Sequence, residues 1–194
     1  MHIGQILEGL QSSTGTFPRQ ALKDAIGSKD EITPALLKII EDATQNPEVL
    51  CDEDYMAHVY AMLLLAQFRE KRAYPLIVGF FSMPGEVAAE STGDVATAYL
   101  HRILASVSHG DAGLTRSLAE NDDVSEWVRG AALDAMVTRV ARGEATRRVM
   151  RSGLFDQPFS WGPDKGAFAR LEQSCKLQHR SVPRGSSAGY PASI

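Results

Sequence analysis

Residues 60–81 read YAMLLLAQFREKRAYPLIVGFF, and two later stretches repeat their plan: YLHRILASVSHGDAGLTRSLAEN at 99–121 and GAALDAMVTRVARGEATRRVM at 130–150. Each has a long apolar segment, a short polar break and a shorter second segment. Leu65, Ala105 and Thr138 hold equivalent positions in the three. The second interval between them is shorter than the first, and irregular spacing of this order marks helical repeat arrays. The physical reason is that one helix pair cannot bury its own apolar face, so pairs stack and share a continuous core. Composition alone would allow Leu76 to Phe81 to be a buried strand; its place in the repeat makes it helical.

Outward from this region the apolar residues keep helical spacing. Ile3, Ile6, Leu7 and Leu10 fit one face of a helix. Pro18 opens a second helix that carries Ala21, Leu22, Ala25 and Ile26 and stops at Gly27. Thr33-Pro34 reads as a helix start, with Leu36, Leu37, Ile39 and Ile40 on the buried face and Asn46-Pro47 as the end. From about Asp52 to Phe68 runs the longest apolar helix, apolar over much of its circumference and so expected between neighbours. Further helices are expected at 94–108, 111–119 and 123–142. The last of these has a capping box from Asp123 to Glu126, and a basic helix follows at 144–152. No segment alternates as a half-buried strand does.

The chain has 194 residues, of which 44% are hydrophobic and 23% are charged. That composition excludes wholesale disorder and fibrous classes. No run of about 18 apolar residues is present, so no membrane-spanning helix is expected. MHIGQILEGL at the N-terminus has no basic region of the kind a secretory signal needs. Two cysteines, Cys51 and Cys175, are too few for a disulfide framework or a four-cysteine zinc site, and the cytoplasm is the expected location. The net charge of −4 divides into −6 over 1–54, −4 over 55–138 and +6 over 139–194. The acidic body would repel a phosphate backbone.

The segment DVSEWVRGAALDAM at 123–136 resembles the second helix of a HEAT repeat. In that motif an Asp precedes Val-Arg and then small apolar residues, here Ala131, Ala132 and Ala135. The resemblance implies that Arg129 reaches towards an Asp of a neighbouring unit, with Asp94 as the candidate. AHVYAMLLLAQFREKRAYPLIVGFFSMPGE, STGDVATAYLHRILASVSHGD and VSEWVRGAALDAMV together resemble a bacterial group of HEAT-like proteins, domain of unknown function family 1186, from about residue 3 to about 155. The resemblance supplies no catalytic residues, because no activity has been established for that family. Some members carry a C-terminal cysteine cluster suited to zinc; this chain has none, so no metal is inferred.

Candidate chemistry is sparse. Asp54 and His58, four apart on one helix, could share a face as an acid–base or ligand pair; a structural hydrogen bond is the simpler reading. His101 lies within the helix expected at 94–108 and His109 at its exit, where the dipole favours imidazole. Cys175 and His179 make half of a zinc site with no second half. Cys51 has acidic neighbours and no base to activate it. Asp122 and Asp123, with Glu120 and Asn121, lack the glycine and terminal Glu of a calcium loop. Arg139, Arg142, Arg147, Arg148 and Arg151 form a basic stripe.

The sequence therefore reads as all-α, an α-α superhelix of the HEAT/armadillo type. The repeat domain is expected at 1–155, with an irregular tail at 156–194, disordered or truncated. The expected role is a protein-binding scaffold without catalysis, cofactor or metal. The binding residues expected are Tyr99, Arg102, Arg129, Arg147, Arg148 and Arg151, with Tyr55 and Trp127 as further anchors or core. The partner would be another protein rather than nucleic acid or membrane. The alternative is a nucleic-acid-acting or lyase-type enzyme on a HEAT-like scaffold.

Overall fold

The computed structural model describes residues 2–11 and 15–143. Among these residues the chain is all-helical, with nine α-helices and no strand. They are α1 (Ile3–Gln11), α2 (Arg19–Gly27), α3 (Lys29–Gln45), α4 (Ala57–Phe68), α5 (Ala73–Phe81), α6 (Val87–Thr92), α7 (Leu100–Val107), α8 (Gly113–Glu120) and α9 (Glu126–Ala141). A 3-10 turn, Pro47–Cys51, follows α3, and a π segment, Val95–Tyr99, leads into α7. The basic helix expected at 144–152, the tail, Cys175 and His179 lie outside the described residues.

Three boundaries differ from the expected ones, each for a local reason. α3 begins at Lys29, so Pro34 lies inside it. Asp30 and Glu31 occupy the first turn, where the positive end of the helix favours them. Pro34 withholds a donor only from a first-turn carbonyl, a mild cost so near the start. Thr33 caps nothing; its Oγ1 donates to Lys29 O at 2.7 Å, one turn back.

The capping box at Asp123 also fails. The Asp123 N–H donates to Asn121 Oδ1 at 3.0 Å, and its carbonyl accepts from Gly85 N–H at 2.8 Å. The same side-chain turn precedes α4, where Asp54 N–H donates to Asp52 Oδ1 at 3.0 Å, so α4 starts only at Ala57. Finally, the single helix expected at 94–108 is three pieces. Gly93 breaks α6 from the π segment with a positive φ, a conformation that only glycine adopts readily.

Packing follows a succession. α1 contacts α4, α4 contacts α7, and α7 contacts α9, forming one layer; α3, α5 and α8 form a second layer across it. α4 buries eight of its twelve residues, as its all-round apolar character predicts. Leu65, Ile77, Phe80, Phe81, Leu100 and Leu104 are fully buried and belong to one continuous core.

Hydrogen bonds between side chain and backbone tie each pair to the next. Ser106 Oγ donates to Ala66 O at 3.0 Å, and His109 Nε2 donates to Arg69 O at 2.7 Å, each spanning 40 residues. Tyr74 Oη accepts the Thr115 N–H at 2.8 Å and shares a hydrogen bond with Thr115 Oγ1 at 2.8 Å, spanning 41.

Candidate functional site

The surface residues come first. The π segment packs on α9, and Tyr99 at its end is 47% exposed. Arg102, three residues on, is also exposed, and Trp127 in the first turn of α9 is 59% exposed. Tyr55 is half-buried and stacks on His58, so it serves packing. Arg147, Arg148 and Arg151 lie outside the described residues.

Arg129 has a different role from Tyr99 and Arg102. It is 5% exposed; its Nη2 lies 2.8 Å from Asp122 Oδ1 and its Nε donates to Ala119 O at 3.4 Å. The expected partner Asp94 is replaced by Asp122, which belongs to the turn just before α9. This places Arg129 as a clamp between the end of α8 and the start of α9. Arg139 is likewise turned inward, 2% exposed, with Nη2 donating to Gly110 O. The described part of the basic stripe is thus partly structural.

His58 is 1% exposed and lies between Tyr55 and Phe80, at ring-centroid distances of 5.4 and 5.7 Å. Its Nε2 donates to Ser91 O at 3.1 Å, while Nδ1 has no hydrogen-bond partner. Burial holds its pKa down at about 4, against a smaller raising effect of the Ser91 carbonyl. Asp54 is exposed and takes no part, so the sequence neighbours do not form an acid–base pair. Among the described residues no group of three or more His, Cys, Asp and Glu side chains could hold a metal.

Reasoning from sequence did not find the cleft where α4, α7 and α9 end. It has a volume of about 410 Å³ and is lined by Ala66, Gln67, Arg69, Ser106 and Arg142. Helix C-termini leave carbonyls without intrahelical partners. Here neighbouring units supply the donors: Lys29 Nζ to Phe68 O at 3.2 Å, His109 to Arg69 O, Ser106 to Ala66 O and Arg139 to Gly110 O. Cationic donors suit the negative end of a helix dipole. Arg69 and His109 both sit in the left-handed region, at φ 54° and 46°, one repeat apart. That shared position, at the exit of a first helix, was the available sequence signal; without a glycine at either position it was silent.

The fold and these sites define an all-helical protein of serially packed helix pairs, whose buried arginines and histidine brace the joints. A family model described as protein of unknown function (DUF1186) matches residues 1–152, and the chain belongs to that family. Similar proteins include an uncharacterized protein of Chlamydia muridarum, 43% identical over 153 residues, covering 76% of this chain and 61% of that protein. Another, from Chlamydia trachomatis serovar D, is 43% identical over 148 residues, covering 76% of this chain and 59% of its own length. The chain thus spans about three-fifths of the length of these relatives. No solved structure matches it.

Proposed function

We propose that this chain is a HEAT-like α-solenoid that works as a scaffold for another protein. The observation that carries the reading is the bonding between units at one-repeat separation. Ser106 to Ala66, His109 to Arg69 and Thr115 to Tyr74 span 40, 40 and 41 residues. Bonds of constant span arise when equivalent positions of successive modules lie side by side. Such stacks present extended surfaces, and exposed aromatic and Arg side chains are the usual anchors on them. Tyr99, Arg102 and Trp127 are the anchors assigned. Arg129 is left out, because its burial gives it a structural task. The cytoplasm is the proposed setting, on the sparse cysteine content.

The test is capture of partners from the native host by the full chain, compared with a Tyr99→Ala, Arg102→Ala, Trp127→Ala variant. Loss of the captured protein with unchanged helical circular dichroism is expected. Capture that survives all three changes defeats the proposed surface.

A further inference from the structure

We propose that the cleft at the ends of α4, α7 and α9 binds a carboxylate side chain of an acidic peptide segment. The inference rests on the protein-binding reading above and gives the partner its chemistry. Five residues line the cleft, and two of them, Arg69 and Arg142, are arginines; Gln67 adds an amide. A guanidinium offers parallel N–H groups that match the two oxygens of a carboxylate. Ser106 donates its proton to Ala66 O, so it serves the frame rather than the ligand.

The frame around Arg69 is fixed on both sides. Its N–H bonds Ala66 O at 3.1 Å, the next N–H, of Glu70, bonds Leu65 O at 3.0 Å, and its carbonyl accepts from His109. A side chain leaving a backbone held this way needs less ordering when it binds.

Charge and backbone polarity choose between anions. Lys29, Lys71, Arg72, Arg139 and Arg142 are spread along this edge, against Glu70 and Asp111. Glu70 is itself engaged by Arg72, whose Nε and Nη2 each lie 3.0 Å from a carboxylate oxygen. The edge is therefore basic on a chain whose net charge is −4, which orients an acidic partner towards it. Three helices nevertheless end here with the negative poles of their dipoles, and no helix N-terminus among the described residues faces the cleft. Phosphate sites draw on backbone N–H groups at helix N-termini or nests. A dianion would feel twice the repulsion from the carbonyl ends without those donors. A singly charged carboxylate, paired with an Arg fork, is the better match.

The experiment is fluorescence anisotropy of a fluorescein-labelled hexaglutamate peptide with the full chain at low salt. The variants are Arg142→Gln, Arg69→Asn and the two together; Asn tolerates the left-handed backbone at 69. Saturable binding that weakens with salt is expected, with about a tenfold loss for the pair. Inorganic phosphate and malonate, at equal charge concentration, should compete at least about tenfold less well than unlabelled peptide.

Absence of binding overturns the proposal, as does unchanged affinity in Arg142→Gln and the double variant. Equal competition by phosphate or malonate also overturns it. So does an equal loss from Lys38→Gln, on the exposed face of α3, since that result means diffuse charge. If Arg69→Asn perturbs the fold, Arg142→Gln alone decides, because Arg142 is exposed beyond the end of α9. The proposed scaffold surface is tested on other residues, Tyr99, Arg102 and Trp127, so either idea can fail without the other.

Discussion

At His58 the decisive quantity is the cost of a proton. The ring is sandwiched between Tyr55 and Phe80, and its pKa is held at about 4. In the unfolded chain the same group protonates near 6.5. Above that range both states are neutral and His58 adds no pH dependence. Between about 6.5 and 4 the unfolded state binds the proton and the folded state does not, so stability falls as pH falls. From pH 6.5 to 5 the loss assigned to this group is about 2 kcal/mol. His58→Phe keeps an aromatic ring in the stack and removes the titration. Urea unfolding across that interval should therefore give a flatter profile for the variant, and an equally steep one would clear His58 of the effect. A second residue-scale case is Tyr74, whose hydroxyl accepts the buried Thr115 N–H. Tyr74→Phe strands that donor and should cost about 1–3 kcal/mol in chemical denaturation.

At the element scale two glycines separate backbone strain from space. A Cβ at Gly93 or at Gly79 would meet nothing within 4 Å. Gly93 has a positive φ. Gly93→Ala should therefore destabilise by about 1–3 kcal/mol from conformation alone. Gly79 lies within α5, so Gly79→Ala should stabilise by up to about 1 kcal/mol. Opposite shifts in thermal midpoint are the outcome expected, and shifts of the same sign would refute the contrast. The same distinction explains what the sequence could disclose. Periodicity located α1, α2, α4, α5, α8 and α9, because burial of Ile6, Leu10, Leu65, Ile77 and their neighbours sets the helical face directly. The starts were less legible. Asx turns at Asp52 and Asn121 compete with helix caps for the same residue types, and the π segment before α7 has no composition of its own. The cleft was hidden for a related reason: it is assembled from residues of three helix ends, and Gln67, Arg69, Ser106 and Arg142 carry no local motif. Arg102 and Tyr99 were legible as exposed positions. Arg129 was legible as a residue that joins units, though to Asp122 rather than Asp94.

At the scale of the molecule, serial packing makes position in the stack matter. Trp127 and Asp134 in α9 are exposed, whereas Ala57 and Leu64, at the same spacing in α4, are buried. The difference is the neighbour: α4 has α7 packed against it, and α9 is the last helix of its layer among the described residues. In such a stack stability is roughly a sum of unit terms and nearest-neighbour interfaces. A change near one end should then act locally, and a change at the centre should act on both sides. Leu10 in α1 and Leu65 in α4 are each buried to 2% or less. Truncation to Ala at either costs about 2–5 kcal/mol at its own site. Leu10→Ala should raise amide exchange in α1 and α2 while leaving α7 and α9 protected. Leu65→Ala, on the helix that contacts α1, α3, α5 and α7, should raise exchange in all of these and lower the global transition. Hydrogen exchange read by mass spectrometry on the full chain distinguishes the two patterns. If both variants loosen every helix equally, the molecule unfolds as one indivisible core and the nearest-neighbour description fails.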